Sequence, residues 1–93
     1  MTNDEIQQVA SEILSKNLGH FGFQGAETAP EIDFDGSSVL RIKARYTDEN
    51  APTKAITQSM HEIRSALLGQ GEERFVFLEG VLLGEEHIDE DIN

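Results

Sequence analysis

The sequence predicts an α/β domain of the α+β type, a two-layer sandwich of order α-β-β-α-β. Its two helices are expected on one face of an antiparallel or mixed sheet. Three observations predict it. Two segments repeat apolar residues at helical spacing, one segment alternates apolar and charged residues, and a late segment is apolar on both faces.

The first helix is expected over 3–18. Ile6, Val9, Ala10, Ile13, Leu14 and Leu18 follow i, i+3, i+4 spacing and share one face. Thr2 and Glu5 fit a capping box, Asp4 adds an acid to the first turn, and Gly19 offers a left-handed stop. Gly19-His20-Phe21-Gly22-Phe23-Gln24-Gly25 then reads as a turn leading into a strand, with Phe21 and Phe23 in the core. Residues 21–29 are expected to be extended, and Ala29-Pro30 to be an extended or kinked step.

A hairpin is expected over 31–46. Ile32 and Phe34 alternate with Glu31, Asp33 and Asp35; after Gly36, Leu40, Ile42, Ala44 and Tyr46 alternate with Arg41, Lys43 and Arg45. A two-residue Asp35-Gly36 turn would set acids beside aliphatics on one face. An odd-length loop, such as three residues with Gly36 left-handed, keeps the apolar rows together and sets the acidic row beside the basic one.

The second helix is expected over 52–68. Pro52 suits its first turn, Ile56, Met60, Ile63 and Leu67 make the buried stripe, and Gly69 and Gly71 end it. Residues 74–83 form the last strand. Phe75 to Leu78 is apolar on both faces, as in a strand covered on both sides. Glu79-Gly80 reads as a bulge in one long strand, with a tight hairpin turn as the alternative. The domain is then 1–83, and 84–93 an acidic, flexible tail.

Composition bounds the function. The 93 residues hold 18 Asp/Glu against 7 Lys/Arg, a formal charge of −11, and no cysteine. Residues 72–93 carry eight of the acids and one base. Nucleic acid and anionic membrane surfaces are disfavoured partners, because both are bound through Lys and Arg. No apolar run is long enough to span a bilayer, the first residues lack a signal-peptide pattern, and absent cysteines fit a reducing compartment. The expected setting is cytoplasmic.

Motifs that carry chemistry fail on inspection. Glu31, Asp33, Asp35 and Gly36 fit positions 1, 3, 5 and 6 of a calcium loop, but Ile42 holds the position that needs a bidentate acid. His61-Glu62 begins a zinc-protease pattern, but Ser65 stands where the second histidine belongs. The Gly19–Gly25 segment lacks the Lys and Ser/Thr of a phosphate loop. No catalytic, cofactor-binding or metal-ligating residue is therefore assigned, and no cofactor is expected. Tyr46 is expected to be a core residue and His61 an exposed helix residue.

Gly22-Phe23, the Asp33-Phe34-Asp35-Gly36 turn with Val39-Leu40 after it, and Gly71-Glu72-Glu73-Arg74-Phe75 resemble a group of small bacterial α/β proteins with no settled activity. The resemblance covers about two-thirds of the chain. It implies a bacterial, cytoplasmic accessory protein and transfers no catalytic residue.

The expected function is a small acidic, non-enzymatic protein–protein interaction module. Its partner is another protein or a second copy of itself. Val76 and Leu78, with Val81 or Leu83, are expected to form an apolar strip facing away from the helices. The acids of the tail, Glu85, Glu86, Asp89, Glu90 and Asp91, would steer a basic partner, as in an antitoxin- or immunity-type neutraliser. The alternative is a small enzyme or ligand-binding domain. Its pocket would lie between Gly19–Gly25 and the end of the last strand, near His20 and Tyr46.

Overall fold

The structure, a computed structural model, describes residues 1–50 and 53–83. Helix α1 spans Asn3–Leu18 and runs into a 3₁₀ turn at Gly19–Phe21. Strands β1 (Gly25–Ile32) and β2 (Ser38–Tyr46) precede helix α2 (Thr53–Gly69) and strand β3 (Phe75–Leu82). The order is α-β-β-α-β, as the apolar patterning requires. Pro52 and the tail acids at 85, 86 and 89–91 lie outside the described residues.

The capping box is formed. The Glu5 amide donates to Thr2 Oγ1 at 3.2 Å, and the Thr2 amide donates to Glu5 Oε1 at 2.7 Å. Thr2 holds the Glu5 carboxyl below its ordinary range by these bonds. The α-helix ends at Leu18 as expected, but Gly19 does not supply the left-handed stop: it stays right-handed at φ −55° and opens the 3₁₀ turn. The chain turns three residues later, at Gly22, where φ is +74°. A glycine permits a left-handed stop without requiring one, and the added 3₁₀ turn carries Phe21 against the core.

The sheet is mixed, in the order β1-β2-β3, with β1 antiparallel and β3 parallel to β2. Even-numbered residues face the helices. Ala26, Leu40, Ile42, Ala44 and Val76 join Ile6, Ala10, Leu14, Leu18, Ile63 and Leu67 in one buried cluster. Both helices therefore cover one face, and the two-layer architecture follows. Phe21 and Phe23 pack against this cluster. Between the helices, the Asn17 side-chain amide donates to buried Ser59 Oγ at 3.0 Å, and Ser59 donates to the Ala55 carbonyl.

The hairpin loop is odd. Asp33 N–H donates to the Ser37 carbonyl at 2.8 Å, closing a three-residue loop of Phe34, Asp35 and Gly36 with Gly36 at φ +89°. One strand, β1, replaces the separate extended segment and hairpin arm expected before Gly36. Pro30 does not break it. The Asp33–Ser37 bond sets odd residues of β1 toward β2, so the Pro30 nitrogen points away from β2 and no ladder bond is lost.

Strand β3 also corrects the sequence reading. Its register with β2 runs one-to-one from Val39–Phe75 to Tyr46–Leu82, so Glu79-Gly80 is neither bulge nor turn. Gly80 is there for space: a Cβ would sit 2.9 Å from Ile56 Cδ1 and 3.1 Å from the Tyr46 ring. Tyr46 is half-buried over this glycine rather than fully enclosed.

Candidate interaction surface

The parity of β3 decides which side chains are available. Val76 pairs with Leu40 and Leu78 with Ile42, both on the helix side. Val76 is 1% exposed in the core, and Leu78 packs against it. The strip expected at Val76 and Leu78 is therefore turned inward. In a strand apolar at successive positions, alternation alone does not fix the phase; the register against β2 does. Phe75, Phe77 and Val81 take the outward phase, and half-buried Leu83 follows the end of β3.

The face away from the helices carries no covering layer among the described residues. Three columns lie across it in register: Glu27, Ala29 and Glu31 on β1; Arg45, Lys43, Arg41 and Val39 on β2; Val81, Glu79, Phe77 and Phe75 on β3. Arg41 holds Glu31 at 3.1 Å and Arg45 holds Glu27 at 3.0 Å. These exposed pairs contribute about 0.2–1 kcal/mol each. Glu27 and Glu31 form the acidic row beside the bases, while Asp33 and Asp35 go to the turn. Three acids and three bases balance here, so the chain's −11 lies elsewhere. Val39 is only 4% exposed although outside the main core. Its cross-strand neighbour Phe75 meets Phe77 edge to face at 4.9 Å, and Arg41 lies 5.4 Å from the Phe77 ring centre.

The hairpin tip is the most exposed apolar element. Phe34 is 99% exposed and Ile32 is 70% exposed. The loop that holds Phe34 is internally bonded: Asp33 Oδ1 accepts from the Phe34 amide at 2.8 Å, and Asp35 Oδ1 accepts from the Ser37 amide at 2.9 Å. The Ser37 bonds hold the Asp35 carboxyl below its ordinary range, so the tip carries charge as well as an aromatic. Sequence patterning placed Phe34 on the buried row. The signal against this was the loop length itself, since three residues closed by Gly36 remove Phe34 from the strand.

The exposed large hydrophobics gather at one end. β1 ends at Ile32, β2 and β3 begin beside it, and α2 ends next to β3's start, which brings Phe34, Phe75 and Leu68 to the same end. On the rim of that end, Arg64 donates from Nε and Nη2 to the Val76 carbonyl at 3.1 and 2.8 Å and lies 4.1 Å over the Phe75 ring.

Glu72 closes the same rim. It is 9% exposed and accepts from Arg74 Nε and Nη2, both at 2.8 Å. The Arg74 guanidinium draws the Glu72 carboxyl down from 4.5 to about 2. A carboxylate lowered in the folded state stabilises above its unfolded value and loses that contribution as pH falls through the folded one. Wild type is therefore expected to exceed Glu72→Gln by roughly 1–2 kcal/mol above about pH 5, the gap closing toward about pH 2. Urea unfolding at several pH values checks it; a gap independent of pH refutes the ion-pair origin.

The residues of the alternative pocket do not converge. His20 is exposed on the 3₁₀ turn, while Tyr46 packs over Gly80 and Ile56. His61 is exposed on α2. Among the described residues, no group of three or more His, Asp or Glu is placed to hold a metal ion, and no helix is long and apolar enough to cross a membrane. Compared with protein-family models, curated proteins and solved structures, the chain matches none of them.

Proposed function

We propose that this chain is a small, non-enzymatic, cytoplasmic protein–protein interaction module that docks through its hairpin end. The observation that carries the reading is Phe34, 99% exposed on an internally bonded turn, with Ile32 70% exposed behind it. Leaving two large apolar side chains in water gains nothing for folding, and a rigid aromatic at a tip is a typical anchor for a partner's pocket. Asp33 and Asp35 flank the anchor in the same turn. The complementary surface is then an apolar pocket rimmed by Lys and Arg on another protein, and a neutraliser of a basic partner is one form of this role. The flanking acids disfavour an anionic membrane.

The test compares wild type with Phe34→Ser, whose melting temperature is expected to be unchanged because the side chain touches little. Both are immobilised and challenged with cell extract at low and high salt. A protein held by wild type, released by salt and lost with Phe34→Ser supports the reading. Identical capture by both folded proteins, or capture indifferent to salt, refutes docking through the acidic tip.

A further inference from the structure

The two edges of the sheet are not equivalent. On β1, the outward main chain is interrupted midway: the Asn3 side-chain amide donates to the Thr28 carbonyl and the Thr28 amide donates to Gln7 Oε1, both at 3.4 Å, and Pro30 has no N–H, so free groups remain only to either side, at Ala26 and Ile32. On β3, even residues point outward, since odd ones face β2. The Val76 carbonyl is taken by Arg64. Past it, the N–H and C=O groups of Leu78 and Gly80 have no partner among the described residues, and Gly80 is exposed. The β1 edge is broken at its middle by α1 side chains and Pro30; the β3 edge stays open without interruption over Leu78–Leu82 among the described residues.

We propose that this edge pairs with the same edge of a second copy, antiparallel about a two-fold axis at Gly80, to make a continuous six-stranded sheet. Leu78 then lies opposite Leu82 of the second copy and Glu79 opposite its Val81, while Arg64 keeps the Val76 carbonyl. A second copy fits this edge because the pairing sets apolar Leu78 against apolar Leu82 and adds no charge to the seam on the helix side. Two molecules of charge −11 repel at long range, but the sheet face beside this edge balances three acids with three bases. Each Glu79 stands in register with Lys43 of its own chain, which places a base beside it on the same face. A ladder this short buries less than a standard interface, so the dimer is weak and depends on concentration. The surface is distinct from the hairpin end, and the two readings stand or fall separately.

Light scattering and amide hydrogen exchange across a wide range of protein concentration, at moderate salt, test the proposal. The expected mass rises from 10.3 kDa toward twice that value. Exchange at Leu78 and Gly80 is expected to slow at least about tenfold with it, while their neighbours on the core strand β2 do not change. Val81→Glu, which adds an acid opposite Glu79 of the second copy, is expected to stay folded by circular dichroism and remain monomeric. Phe34→Ser is expected to dimerise as wild type does. A monomer at every concentration overturns the proposal. So does a dimer in which Leu78 and Gly80 exchange freely, or one that survives Val81→Glu. A dimer lost with Phe34→Ser also overturns it, placing self-association at the hairpin end instead.

Discussion

Val76→Asp is expected to unfold the protein, whereas Phe77→Asp, one residue away, is expected to leave it folded. Val76 is 1% exposed between β3 and the helices. A carboxylate there would lose its hydration, and the base nearest to it, Arg64, is already engaged with the Val76 carbonyl and the Phe75 ring on the rim. The valine's packing is lost as well. Burying an unpaired charge typically costs about 3–5 kcal/mol, and losing a core side chain adds more. A domain of this size holds only about 5–10 kcal/mol in total. Phe77 stands on the uncovered face beside Arg41, so an aspartate there stays hydrated and meets a base. Far-ultraviolet circular dichroism and urea titration of both variants check the contrast. A folded Val76→Asp would mean that β3 presents the opposite phase.

That contrast also marks how far patterning reaches. The hairpin was legible because its residues alternate cleanly: Leu40, Ile42 and Ala44 against Arg41, Lys43 and Arg45. Only an odd loop keeps those rows in phase, and Gly36 at φ +89° supplies it. The capping box was legible because Thr2 and Glu5 have one arrangement in which both bond. Strand β3 offered no such constraint. Phe75, Val76, Phe77 and Leu78 satisfy either phase, and the choice is made by a parallel register to β2 that forms only once α2 has crossed over. Pro30 misled in the other direction. A proline suggests a break, but at an outward-facing position of an edge strand it removes nothing and protects the edge. The candidate surface was half legible for the same reasons. The existence of surplus apolar side chains could be counted; their placement at the hairpin end depends on where the helical layer stops short of Ile32 and Phe34.

Gly22→Ala is expected to cost about 2–4 kcal/mol, from two sources that add. The first is backbone. Gly22 adopts φ +74° and ψ +42°, a left-handed conformation that an alanine enters at a cost of about 1–2 kcal/mol. The second is space. The position of the missing Cβ is filled by Thr47 Oγ1, with Thr47 Cβ at 3.3 Å and its backbone nitrogen at 3.4 Å. Relief by a shift of Thr47 is limited, because its amide donates to the Gly22 carbonyl at 3.2 Å and the next amide, Asp48, donates to the Phe21 carbonyl at 3.0 Å. These bonds tie the end of β2 to the turn after α1, so a displaced Thr47 loosens both. Gly36→Ala supplies the control: its φ is +89°, but nothing lies within 4 Å of its Cβ position. It is expected to lose only the backbone part, about 1–2 kcal/mol. Urea unfolding of the two variants side by side measures the difference. Equal losses would show that Thr47 yields freely and that the turn is held by backbone conformation alone.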